Sequence, residues 1–411
     1  MSTATTSSTP SRQQNAFYVH TSPTDFLATT QAWLLAHERR ANIIFPHAEK
    51  LREQEQSGTL SPGHFWVTAW SASPPTPAST TPARRGPHLD FVLACTEGHM
   101  GTYPLFLFST HEIVTLPEQW LDQCMHQLAQ KLMTLVDPAR VFSIFGQERA
   151  VQMLCRHWSN LTGFRPVSQP YYEASSTYCT PETFVPTRPA LEAGHVMRKA
   201  VQSDVDQVAG LCQEFAEDSV SSYFRFSLNI RFTSPQPPFT LSMDRARQEA
   251  QYLVHHGLVW VYLMDGALST IVAVTRSSPH VAGITKVYTS PQFRRRGCAD
   301  RLVAHVCEQS VHLYLSTVPS NSNRLLPGNS KPASRTPFSL LAILSLLHVS
   351  ITGSDSSAWA PPKASIACKI PTWNGGWRSV SRALALAIGD LFPMPLARLC
   401  APLLSICIIF P

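Results

Sequence analysis

Charge is scarce in this chain: Lys, Arg, Asp and Glu make up 15% of its 411 residues, against about 25% in an average globular protein. That excludes a highly charged disordered chain and a coiled coil. With 18 glycines and 33 prolines, a collagen-like repeat is excluded too. No two of the ten cysteines stand in CxxC spacing, so there is no zinc-ribbon or thioredoxin-like signal. Several sit in apolar surroundings, as in Val92-Leu93-Ala94-Cys95, and the expectation is free, buried thiols in a reducing compartment. The Ser/Thr-rich start, Met1 to Asn15, has no apolar core, so no secretory signal is expected. Long hydrophobic runs are missing as well. Phe338 to Ile351 is short of the ~20 residues a spanning helix needs. Ala383 to Pro411 is interrupted by Asp390, Pro393, Pro395, Arg398 and Pro402. The expectation is a cytoplasmic or nuclear protein without a membrane partner.

The formal net charge of +6 is unevenly placed. Val318 to Pro411 holds eight basic residues, two acidic ones (Asp355 and Asp390) and no Glu, which accounts for all of it. Residues 1–317 are neutral overall, so no nucleic-acid partner is expected. The same tail is rich in Pro, Ser and Leu and shows no amphipathic period. Residues 318–411 therefore read as a low-complexity, disordered or non-native segment, such as translated non-coding sequence.

Ahead of the tail, residues 1–16 read as disordered and 17–190 as an N-terminal α/β region. Thr24 to Glu55 is expected to be helical with an interruption at Pro46, and Phe65 to Trp70 to be a strand. Leu89 to Cys95 and Pro104 to Ser109 follow as strands of a meander. Trp120, Leu121, Cys124, Leu128 and Leu132 recur at helical spacing within Pro117 to Leu135. A strand at Arg140 to Phe145, a helix at Glu148 to Asn160 and Gly163-Phe164 close the region.

A second unit covers residues 194–317. It opens with a strand at Val196 to Ala200 and a helix at Val205 to Glu217. Ser242 caps the next helix and Gly257 stops it. Leu258 to Met264 and Ala267 to Thr275 form a hairpin around Asp265-Gly266. Gly283 to Thr289 is a third strand, and Ala299 to Ser310 a helix.

Between that strand and that helix lies the one stretch with chemistry in it, Pro291-Gln292-Phe293-Arg294-Arg295-Arg296-Gly297-Cys298-Ala299. In a tight turn from strand to helix, successive backbone N–H groups can point outward together. The helix N-terminus adds unpaired donors and partial positive charge. Such a turn can cradle a phosphate. Gly297 leaves room for close approach, and Arg294, Arg295 and Arg296 can add ion pairs to an anion.

Arg294-x-x-Gly297-x-Ala299, behind Pro291 and a strand ending at Thr289, resembles the phosphate loop of the GNAT superfamily of acetyl-CoA-dependent N-acyltransferases. The resemblance covers about residues 196–315. It implies an α+β fold, a mixed sheet flanked by helices, with the N-terminal region as a degenerate copy of the same lobe in tandem. It implies acetyl-CoA as acetyl donor and a primary amine as acceptor. Arg294, Arg295, Arg296, Gly297, Cys298 and Ala299 would bind the diphosphate, and the backbone of Val287 and Thr289 the pantetheine arm.

Two departures from the family stand out. No carboxylate lies between Ala267 and Ala299, where that family often carries its base. After the motif helix, His312 to Ser316 could begin the family's next strand, but no Tyr and no Gly-Phe follow it in the tail.

Candidate catalytic residues are Glu214, with Glu217 and Asp218 beside it at the end of the first helix, and Tyr288 on the motif strand. A solvated helix end and a packed phenol are the plainer alternatives. His255 and His256 are neighbours in sequence and do not make a same-face metal pair, so no metal is expected. Two main readings remain, an N-acetyltransferase or a catalytically silent CoA-binding module that lacks the second half of the cleft, with a membrane-tethered protein using the tail as a weaker third.

Overall fold

The computed structural model describes residues 15–72, 86–98, 101–166, 172–181, 183–184, 191–224, 241–317, 339–345 and 403–409. The expectations for residues 1–14, for most of the loop after Ser71, and for residues 318–338 and 346–402 lie outside them.

The N-terminal lobe runs β1 (Ala16–His20), α1 (Pro23–Ala36), α2 (Phe45–Gln56), β2 (Phe65–Ser71) and β3 (His88–Cys95). A two-residue ribbon follows, β4 (Glu97–Gly98) and β5 (Gly101–Thr102), then β6 (Leu105–Ser109), α3 (Glu118–Met133), β7 (Ser143–Gln147) and α4 (Glu148–Thr162). The single long helix interrupted at Pro46 is two helices. Pro46 falls in the first turn of α2, where its missing N–H costs nothing. The strand expected at Arg140 starts later, because Asp137 caps a 3-10 turn over Pro138–Arg140. Gly163, at φ 78°, ends α4 in the left-handed conformation that glycine adopts freely.

After β8 (Tyr172–Cys179) the C-terminal lobe repeats the order. It comprises β9 (His195–Lys199), α5 (Val205–Phe224), α6 (Met243–His255), β10 (Val259–Met264), β11 (Ala267–Ser278), β12 (Val281–Thr289) and α7 (Cys298–Thr317). Ser242 Oγ caps α6 by accepting the Arg245 N–H. Asp265 and Gly266, both at positive φ, turn the β10–β11 hairpin as their sequence predicts. Two tail segments are strands, β13 (Ser339–Ser345) and β14 (Leu403–Ile409).

All but the ribbon join one mixed twelve-stranded sheet in the order β1-β2-β3-β6-β7-β14-β8-β13-β12-β11-β10-β9. The fold is α+β. Each lobe contributes a meander whose last strand then pairs in parallel: β6 with β7 in one lobe, β12 with β13 in the other. His312 to Ser316, expected as the start of the next strand, instead prolongs α7. No proline or glycine interrupts the run before Pro319, so the helix has no stop signal there.

Alternation along the strands divides the core. Phe65, Val67 and Ala69 face α3 and α4, while Trp66 and Trp70 face α1 and α2. In the other lobe Val261, Ile271 and Tyr288 face α5 and α6, while Tyr262, Val272 and Ile284 face α7. The lobes also touch through polar groups. Buried Glu38 accepts the His280 N–H at 2.8 Å and lies 3.0 Å from His280 Nδ1, and Lys50 Nζ donates to Thr275 O at 3.0 Å. Among the described residues no helix is long and apolar enough to cross a membrane.

Candidate acyl-donor and acceptor sites

The arginine-rich turn is built as a strand, one 3-10 turn over Pro291–Phe293, a loop, and the N-terminus of α7 at Cys298. Arg295 (φ 63°) and Gly297 (φ 71°) both take the left-handed backbone. For Arg295 this costs about 1–2 kcal/mol, strain of a kind that gathers at ligand clamps. Left-handed residues in a turn let successive N–H groups line a concavity. The amides of Arg295, Arg296, Gly297 and Cys298 have no acceptor among the described residues. Nothing lies within 4 Å of where a Cβ on Gly297 would project. The turn is open in front and lined with free donors, which fits a diphosphate.

The strand leading into it is open as well. Ser290 N–H donates to Ser269 O at 3.0 Å, which marks those two as a hydrogen-bonded antiparallel pair. By alternation Ile271 and Tyr288 form the next such pair. The Val272–Val287 and Thr270–Thr289 pairs then turn their N–H and C=O groups to the opposite edges. On that edge of β12, β13 pairs only with Val281 to Ile284. The backbone groups of Val287 and the N–H of Thr289 therefore have no partner among the described residues on that edge, while Thr289 O accepts from Arg294 Nε.

Two side chains of the turn do not do what the sequence suggested. Arg294 is tied back to the strand and to α5: Nε donates to Thr289 O at 3.1 Å, and Nη2 donates to Asp218 Oδ2 at 2.6 Å and to Tyr288 Oη at 3.1 Å. Its carboxylate partner thus neutralises a side chain that is still 38% exposed, leaving Arg295 and Arg296 as the cations of the turn with no carboxylate partner among the described residues. Cys298 is buried, its Sγ 3.5 Å from Met264 Sδ, so only its amide can meet a ligand. Ala299 is half-buried in the first turn of α7.

On the other face of β12, α5 brings the candidate acceptor residues together. Tyr288 is buried, packs against Phe215 and donates to Asp218 Oδ2 at 2.9 Å. Burial, the hydrogen bond to Asp218 and that residue's charge push the Tyr288 phenol above its usual value near 10, with Glu214 adding to the effect and Arg294 opposing it. The phenol keeps its proton throughout the neutral range. Glu214 Oε2 is buried without a hydrogen-bond partner among the described residues. Glu217 is exposed. Sequence reasoning missed Lys286, whose Nζ lies 3.0 Å from both carboxylate oxygens of Glu249 on α6. A signal was available: Lys286 stands two residues before Tyr288, on the same face of the strand. That face now carries three carboxylates from α5 and α6, although the strands themselves carry none.

Residues 224–325 match the model of the acetyltransferase (GNAT) family, and the chain carries a GNAT acetyltransferase domain there. No curated protein matches the chain. Similar solved structures include a GCN5-related N-acetyltransferase from Sphaerobacter thermophilus, 13% identical over 96% of each chain with a TM-score of 0.42. A Drosophila protein from a structural genomics consortium is 11% identical over 97% of this chain and 99% of its own, with a TM-score of 0.49. The PaiA N-acetyltransferase of Thermoplasma acidophilum, solved in complex with coenzyme A, is 13% identical over 29% of this chain and 72% of its own, with a TM-score of 0.21.

Proposed function

We propose that this chain is an N-acetyltransferase that binds acetyl-CoA in its C-terminal lobe and acetylates a primary amine. The observation that carries this reading is the continuity of two features without partners among the described residues: the β12 edge at Val287 and the Thr289 N–H, and the amides of Arg295 to Cys298 beyond it. Acetyl-CoA supplies an activated acetyl thioester. The free amides and the positive end of α7 bind its diphosphate, and Arg295 and Arg296 add charge at the rim. Val287 and Thr289 orient the pantetheine arm through their backbone groups.

Across the sheet edge, Asp218 and Glu214 hold the acceptor as an ammonium. Glu214 Oε2 takes the proton that the amine must lose before it can act as a nucleophile. Tyr288 holds a proton at Oη for the departing sulfur. Asp218 and Arg294 fix the position of that hydroxyl.

The test is titration calorimetry of the full chain with acetyl-CoA, followed by turnover on a panel of amines. Gly297→Glu puts a carboxylate into the cradle and is expected to weaken binding at least about 100-fold, or about 2.7 kcal/mol. Gly297→Ala carries the same backbone strain without the charge and is expected to lose far less. Tyr288→Phe is expected to leave affinity intact and lower kcat about 100-fold or more. Unchanged affinity in Gly297→Glu would refute the assignment of the loop. Binding without turnover on any amine would favour the silent CoA-binding module. That second reading draws on Asp218, which Tyr288 and Arg294 already engage.

A further inference from the structure

The N-terminal lobe builds the same hairpin and ends it differently. Thr110 N–H donates to Asp90 O at 3.2 Å, as Ser290 N–H does to Ser269 O in the other lobe. Phe91 faces Ser109 there as Thr270 faces Thr289. Asp90 thus takes the place of Ser269, and His111 that of Pro291. No glycine or arginine follows His111 before α3, so no phosphate turn forms.

Three potential ligand atoms converge at this point. His88 and Asp90 are two residues apart on β3, where the pairing with β2 skips Asp90, and their side chains meet at 3.1 Å. His111 joins them from just beyond β6. Asp90 is fully buried, and its Oδ1 lies 2.7 Å from His111 Nε2, 3.1 Å from His88 Nδ1 and 3.1 Å from Ser71 Oγ. Its second oxygen, Oδ2, is buried with no hydrogen-bond partner among the described residues. One donor atom from each of His88, Asp90 and His111 lies within 4.8 Å of the other two. The His88 and His111 rings stack at 4.8 Å, with Trp33 against one and Trp120 against the other.

We propose that His88, Asp90 and His111 form a binding site for one divalent transition-metal ion of the zinc class. Two imidazoles and one carboxylate make a nitrogen-oxygen donor set suited to zinc, with a fourth position left open. Ligand atoms around a tetrahedral zinc are about 3.3 Å apart, given bonds of about 2.0–2.1 Å. The observed 2.7 and 3.1 Å separations need to open by about 0.6 and 0.2 Å as the ion replaces the bridging protons, and the two imidazole nitrogens, within 4.8 Å of each other, need to settle at the same spacing. A divalent charge also compensates a buried carboxylate whose second oxygen is otherwise unmatched. Supporting contacts that orient metal ligands are already in place. Ser71 donates to Asp90, and Arg40 Nη1 donates to the His111 carbonyl at 2.8 Å.

The test uses the full chain, stripped with a chelator and titrated with zinc and, separately, with cobalt. The expected result is one ion per chain, visible d–d bands typical of four-coordinate cobalt, and a melting temperature that rises with added zinc. His111→Gln and His88→Gln are each expected to lower affinity at least about 100-fold, beyond the usual loss for a supporting contact. The half-exposed His88 is the variant least prone to misfold. His255→Gln, on an exposed helix end, is expected to bind like the parent. The proposal is overturned if the parent chain takes up no ion, or if a folded His88→Gln variant binds zinc as tightly as the parent. None of these readouts depends on acetyl transfer.

Discussion

The two lobes share a plan and differ where it matters for chemistry. Each lays down strand, two helices, a three-stranded meander, a helix and a parallel strand. In the C-terminal lobe the meander leaves through a turn with two left-handed residues and four unpaired amides. In the N-terminal lobe it leaves through Thr110 and His111, whose backbone and side chain are tied to Leu89, Asp90 and Arg40. The same hairpin can thus present donors to an anion or gather ligands around a buried carboxylate. The choice rests on a handful of residues after the strand.

The comparison can be broken or sharpened by variants of graded effect. Trp158 is fully buried in the core under α3 and α4. Trp158→Ala is expected to cost about 3–5 kcal/mol of stability by urea unfolding. The folded fraction should keep its acetyl-CoA affinity if that lobe is not the donor site, and a parallel loss of affinity would count against the division of labour.

A smaller effect is expected at the opening of the C-terminal lobe. Asp204 accepts from Arg198 Nη1 and Nη2, at 2.5 and 3.0 Å, and from the Val201 N–H at 2.7 Å. The Arg198 hydrogen bonds, with the Val201 N–H, hold its carboxyl below the ordinary carboxylate range. Its contribution is therefore complete above the unfolded value of about 3.9. It is lost as pH falls through the lower, folded value. Asp204→Asn should cost about 1–3 kcal/mol at neutral pH and flatten the acid limb of the stability profile. In the other lobe Ser22 caps α1 by accepting the Asp25 N–H, and Ser22→Ala should cost about 1 kcal/mol by urea unfolding. The smallest effect is expected from Arg295→Gln. The side chain is exposed, so acetyl-CoA affinity should fall less than about fivefold, and the loss should shrink with added salt.

Much of the geometry around the arginine-rich turn was legible because it is local. A strand, a turn and a helix within Lys286 to Leu302 announce themselves through β-branched residues, a glycine and apolar spacing. Most of what the sequence did not show is long-range. The ion pair of Arg294 depends on Asp218, on another helix and far away in the chain. The parallel partner of β12 comes from beyond Pro319, in a stretch whose composition gave no strand signal of its own. The His88, Asp90 and His111 cluster needs β3 and β6 to be paired before its spacing means anything. Lys286 is the exception, since its alternation with Tyr288 was visible on the strand.

Backbone hydrogen exchange with and without acetyl-CoA tests the central claim most directly. The account predicts slowed exchange at the amides of Arg295, Arg296, Gly297 and Cys298 and along Val287 to Thr289, with the Thr110 to Leu116 segment unchanged. Protection at Thr110 to Leu116 with none at the arginine turn would contradict it.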